Sequence, residues 1–88
     1  MKVLYFVRQD CEACKNAREK VEFFIEKWGR SKMDRVSYDV GTEDGLIEAA
    51  LRGVSDIPTI VLERDGDELA RWTKKAPKSD DLRSSLEA

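Results

Sequence analysis

The chain has 88 residues, among them 16 basic and 18 acidic side chains, two cysteines and no histidine. That length suits one small domain, and a make-up of 41% hydrophobic and 39% charged residues is that of a soluble globular chain, neither disordered nor membrane-spanning. A net charge of −2 gives no basic field for nucleic acid, and the missing imidazole excludes Ser-His-Asp and Cys-His nucleophiles and histidine-ligated metal. Chemistry must come from two sulfurs, carboxylates and amines.

Lys2 to Val7 is apolar and rich in β-formers, which predicts a strand buried on both faces. The apolar run before Arg8 is too short for the core of a leader or a membrane span, so the expectation is a first strand and a cytoplasmic protein. Cytosolic thiols are kept reduced, so a structural staple is not the expected role for two cysteines.

From Glu12 to Trp28 the period becomes helical. Cys14, Ala17, Val21, Phe24 and Trp28 share one face, and Gly29 supplies a stop. Met33 to Val40 reads as a second strand with Val36, Tyr38 and Val40 on one side. Thr42 is expected to cap a second helix, with Glu43 and Asp44 at its positive end and Ile47, Ala50, Leu51 and Val54 as its buried stripe. Thr59 to Glu63 is a third strand. Asp65-Gly66 signals a tight hairpin turn, and Glu68 to Trp72 follows as an antiparallel fourth strand. Ser79 is expected to cap a final helix that buries Leu82 and Leu86. The predicted order is β-α-β-α-β-β-α. Strands one and two are parallel by the handedness of the crossover, and a mixed four-stranded sheet carries helices on its faces.

Cys11-Glu12-Ala13-Cys14 is a C-x-x-C sequence at the junction of the first strand and first helix. Residues three apart share a helix face, so both sulfurs can meet without distorting the backbone. Cys11 falls at or near the N-cap, where free N–H groups and the macrodipole favour a thiolate; Cys14, on the apolar face, is expected to be the more buried sulfur. The alternatives are two ordinary buried cysteines, or half of a tetrahedral metal site completed by carboxylates or a second chain. Asp10 and Glu12 flank Cys11 and oppose the helix end, which predicts a reducing rather than a strongly oxidising protein.

Ile57-Pro58-Thr59 opens the third strand, where the missing N–H of proline costs no ladder bond. The dithiol closing the first strand, the later Ile-Pro-Thr and the hairpin together resemble the thioredoxin superfamily over nearly the whole chain. The resemblance implies a cis peptide at Pro58, set against the dithiol, and a minimal thioredoxin fold spanning 1–88. The short length and the start at the first strand resemble the glutaredoxin branch. Arg8, three before the first cysteine, matches a residue that meets the glutathione carboxylate there, whereas C-P-Y-C and a Gly-Gly-Asp segment are absent, and Tyr5 stands where thioredoxins carry a buried acid. Trp72-Thr73-Lys74-Lys75-Ala76-Pro77 is similar to the W-S-G-F-x-P of glutaredoxin-like redoxins, with two lysines in place of Gly-Phe.

The resemblance implies a thiol-disulfide oxidoreductase that reduces protein disulfides, with Cys11 attacking and Cys14 resolving. Arg8, Ile57, Pro58 and Trp72 are the expected substrate-binding residues. Thioredoxin reductase or glutathione is the expected electron donor. No bound organic cofactor or metal is expected, glutathione entering as a co-substrate at most, and the protein is expected to be a monomer. Two other readings remain open: a thiol-based metal-binding module, and a non-catalytic thioredoxin-like adaptor. Plainer roles also remain for Arg8 as a strand-end charge, for Trp72 as hairpin packing, and for Lys74 and Lys75 as a solvated loop rather than an anion site.

Overall fold

The computed structural model describes residues 1–87. Its elements run β1 (Lys2–Val7), α1 (Glu12–Lys27), β2 (Asp34–Asp39), α2 (Glu43–Leu51), β3 (Thr59–Arg64), β4 (Asp67–Thr73) and α3 (Ser79–Leu86). The order is the one predicted, and the sheet runs β2-β1-β3-β4. Strand β1 is parallel to β2 and antiparallel to β3, and β4 returns antiparallel to β3. At the turn between them Asp65 and Gly66 both have positive φ, 52° and 87°, as a two-residue type I′ connection requires.

Because side chains alternate along a strand, β1 and β3 each supply both faces of the sheet. Val3, Tyr5, Ile60 and Leu62 meet Ala17, Val21 and Ile25 of α1 and Leu82 and Leu86 of α3. Leu4, Phe6 and Val61 meet Ala49 of α2 on the opposite face, with Val36, Tyr38 and Val40 packed around them. Phe6 stacks on Tyr38 at 5.2 Å between ring centroids. The two central strands are therefore buried from Val3 to Phe6 and from Thr59 to Glu63, as the apolar run of β1 predicted.

Helix α1 ends as its sequence suggested. Gly29 takes φ 70° and donates to the Glu26 carbonyl, while Arg30 N–H reaches the Ile25 carbonyl at 2.8 Å, a Schellman closure. Its buried face is Cys14, Ala17, Val21 and Ile25; Phe24 and Trp28 are half-buried and stack at 4.9 Å along its flank. Thr42 caps α2 by accepting the Gly45 N–H at 3.1 Å.

Two expectations are corrected. The buried residues of α2 are Gly45 and Ala49, whereas Ile47 and Leu51 are 50% and 75% exposed and Ala50 also faces solvent. Only Val54 of the expected stripe reaches the core, half-buried. Small residues face the sheet here because α2 lies so close that a Cβ at Gly45 would overlap the Asp39 backbone carbonyl. Ser79 does not cap α3 either. Lys78 is the N-cap, and no side chain bonds the helix end there, because the helix begins one residue earlier than the serine pattern implies.

Polar ties fix the helices to the sheet. Glu63, 5% exposed on the α2 face of β3, accepts from Arg52 at 2.8 Å, and Lys2 stands 3.9 Å away. The same Arg52 and Gly53 offer their carbonyls to Arg71 of β4, closing the C-terminal end of α2. Hydrogen bonding to Glu63 raises the pKa of Arg52. On the other face the Tyr5 hydroxyl donates to Glu22 of α1, which also pairs with Arg35 of β2 at 3.2 Å. Burial, reinforced by the bond to Glu22, pushes the Tyr5 hydroxyl well above the usual tyrosine range.

Candidate active site

Strand β1 ends at Val7, and the chain turns through Gln9 and Asp10 before α1 begins. Asp10 takes φ 57°, a left-handed conformation that aspartate tolerates better than most residues. This turn delivers Cys11 as the N-cap of α1. The Cys11 Sγ accepts the Cys14 N–H at 3.1 Å, occupying one of the unpaired donors at the helix end. Helical spacing then brings Cys14 back under Cys11. The two form a disulfide with their Cα atoms 5.2 Å apart. Cys14 is 2% exposed, while Cys11 is partly open to solvent, so the outer sulfur is the one a partner can reach.

A groove of about 640 Å³ opens beside the pair, between the first turns of α1 and the edge of β2. Its walls bring Arg8, Lys15 and Arg18 against Asp10, Glu12 and Asp39, three charges of each sign. A second depression, of about 600 Å³, shares Arg8, Asp10, Cys11 and Asp39 with it and continues to Gly41 and Thr42 ahead of α2. Cys11, Lys15 and Arg18 follow a helical 4-3 spacing, which could have been read from the sequence. Asp39 enters through the pairing of Val7 with Asp39, a long-range register that no local pattern carries.

The Ile57–Pro58 peptide is cis, as the resemblance implied. Pro58 is buried and Ile57 half-buried, and the Pro58 carbonyl accepts the Lys74 N–H at 2.7 Å. Thr59 lies opposite Phe6 on one side and Thr73 on the other. Pro58 and Lys74 therefore sit at the end of the sheet where β1 delivers the dithiol.

Of the six residues expected at the site, Cys11, Cys14 and Arg8 line the groove together. Ile57 and Pro58 share the dithiol's end of the sheet but do not line the groove, which opens on the β2 side. Trp72 lies opposite Ile60 and packs, half-buried, against the core between the sheet, α1 and α3. Among the described residues no group of three or more cysteine, aspartate or glutamate side chains is gathered to hold a metal ion. No helix among them is long and apolar enough to cross a membrane.

No protein-family model and no curated protein sequence matches the chain. Solved structures do. Thioredoxin 1 from the thermophilic eubacterium Thermosipho africanus superposes with a TM-score of 0.77 at 21% identity, over 99% of this chain and 91% of that one. The thioredoxin of Fasciola hepatica gives 0.71 at 27% identity, over 98% of this chain and 77% of its own. Thioredoxin NaTrxh of Nicotiana alata gives 0.70 at 28%, over 98% and 70%.

Proposed function

The chain belongs by its fold to the thioredoxin superfamily, and from that premise we propose that it is a dithiol-disulfide oxidoreductase that reduces protein disulfides. The observation that carries this reading is the Cys11–Cys14 pair at the start of α1, one sulfur partly exposed and bonded to a helix N–H, the other buried beneath it.

In the reduced protein, the free N–H groups and positive end of α1 stabilise a thiolate on Cys11. That thiolate attacks one sulfur of a substrate disulfide, forming a mixed disulfide and releasing the other substrate sulfur as a thiolate, which takes a proton from water. Cys14, deprotonated in turn, attacks the Cys11 sulfur. The Cys11–Cys14 bond forms and the second substrate thiol leaves, so two electrons have passed from the dithiol to the substrate. An external donor then returns the pair to the dithiol. The dithiol itself carries both electrons, so the reaction asks for no organic cofactor in the chain.

Arg8, Ile57, Pro58 and Trp72 are proposed to border the substrate, Arg8 by its charge beside Cys11 and Ile57 by a backbone free to pair with an extended strand. Arg8 favours a glutaredoxin-like carrier; the thioredoxin neighbours favour thioredoxin reductase as donor. We also propose a single-domain cytoplasmic monomer.

The test is turnover of a protein disulfide with thioredoxin reductase and glutathione supplied in parallel. Turnover with one donor is expected, its loss in Cys11→Ser, and a trapped mixed disulfide in Cys14→Ser. No turnover with either donor, or full turnover by Cys11→Ser, overturns the reading.

A further inference from the structure

The turn after β4 carries Lys74, Lys75 and Lys78 within five residues and no acid among them. Lys74 holds φ 69°. Of the three non-glycine residues with positive φ among the described residues, Asp10 and Asp65 are of a type that settles there readily, whereas a lysine is not. Glycine would meet the backbone's need at less cost, since the tie that fixes the turn is the Lys74 N–H to the Pro58 carbonyl, which uses no side-chain atom. The fold therefore gives no reason for this side chain.

Its ammonium is largely unclaimed. The Lys74 side chain is 70% exposed and stands 3.8 Å from Asp56, itself 46% exposed, a contact in water that holds neither group firmly. Lys75 and Lys78 are exposed and have no ion pair among the described residues. The position of the turn gives these cations a target. Lys74 follows Thr73, which faces Thr59 and through it Phe6, so the turn overhangs the end of the sheet that carries Cys11. On the β2 side of Cys11 three cations are balanced by three anions. On the β4 side Lys74 and Lys75 stand together, with Asp56 3.8 Å from Lys74 and Asp80 and Asp81 in the first turn of α3.

We propose that Lys74, with Lys75 beside it, is a specificity residue that selects protein substrates carrying aspartate or glutamate next to the reacting cysteine. The inference rests on the dithiol reading of Cys11 and Cys14. The acidic segment lies along the β4 side of the substrate cysteine, displacing Asp56 from the Lys74 ammonium, while the neutral balance of the β2 groove admits either sign.

The test pairs two peptide disulfides that differ only in acidic against amide residues flanking the reacting cysteine, on either side. Each is mixed with the pre-reduced protein in a single turnover, and cysteine-free versions are titrated into the oxidised protein by NMR. The acidic disulfide is expected to react about threefold faster, the size of an exposed charge pair, with the advantage lost near 0.5 M salt. Lys74→Gly is expected to bring the ratio of the two rates close to one and to melt no lower than the parent, and Lys74→Arg to keep the preference. Equal rates in the parent protein, or a preference that survives Lys74→Gly, overturns the inference. If neither disulfide reacts, the redox reading fails by itself. The titration then decides the inference: tighter binding of the acidic peptide to the parent than to Lys74→Gly sustains it, and equal binding overturns it.

Discussion

Gly45 of α2 rests against the backbone carbonyl of Asp39, the last residue of β2, so closely that any Cβ would overlap that oxygen. The contact sets how near α2 lies to the sheet and, through Asp39, the wall of the groove beside Cys11. Helix propensity favours alanine over glycine by about 1 kcal/mol, but pushing a backbone carbonyl aside costs about 1–3 kcal/mol. Gly45→Ala is therefore expected to destabilise the protein despite its better helix former, and urea denaturation measures it. A stabilised variant would show that α2 can withdraw without cost.

Arg52 and Glu63 form the tie at the other end of α2. Removing the arginine leaves a carboxylate that is 5% exposed, with Lys2 its one remaining cation among the described residues, at 3.9 Å. Arg52→Ala is expected to cost about 2 kcal/mol, below the range for a fully buried pair because the guanidinium is partly in water. Glu63→Gln keeps an acceptor for Arg52 and should cost less. The order of the two midpoints in urea checks the assignment.

Tyr5 gives stability a dependence on alkaline pH. Its hydroxyl ionises above the ordinary tyrosine value in the folded protein because it is buried and bonded to Glu22. A raised pKa means that the folded state holds the proton after the unfolded chain has lost it. The contribution is whole at neutral pH and declines once the pH passes about 10, the unfolded value. Tyr5→Phe is expected to lose about 1 kcal/mol at pH 7, from the missing hydrogen bond, and to show a shallower decline above pH 10 than the parent. Parallel slopes would place the alkaline sensitivity elsewhere.

Features that reside in one stretch of chain were legible in the sequence. The apolar run of β1, the Asp65-Gly66 turn, the Gly29 stop, the Thr42 cap and the C-x-x-C spacing each act through neighbours a few residues away. All are found where the pattern places them. Helix α2 defeats the same logic. Its large apolar residues Leu46, Ile47 and Leu51 face water while Gly45 and Ala49 face the sheet, because close approach selects for size rather than hydropathy. The groove beside Cys11 was half legible: Lys15 and Arg18 follow from helical spacing, but Ser37 and Asp39 depend on how β2 aligns with β1. The pairing of Tyr5 with Glu22 joins residues 17 apart and had no signal in either one alone.

Both outer strands of the sheet are dressed in charge. Strand β2 presents Asp34, Arg35 and Asp39, and β4 presents Asp67, Glu68 and Arg71, around a β3 whose Thr59 to Glu63 is wholly buried. A bare edge beside so apolar a centre would invite another chain to add itself as a fifth strand, the first step of aggregation. Desolvating these charges makes that step costly. Both edges of the sheet are thereby guarded, and the disulfide lies apart from them, at the end of the sheet.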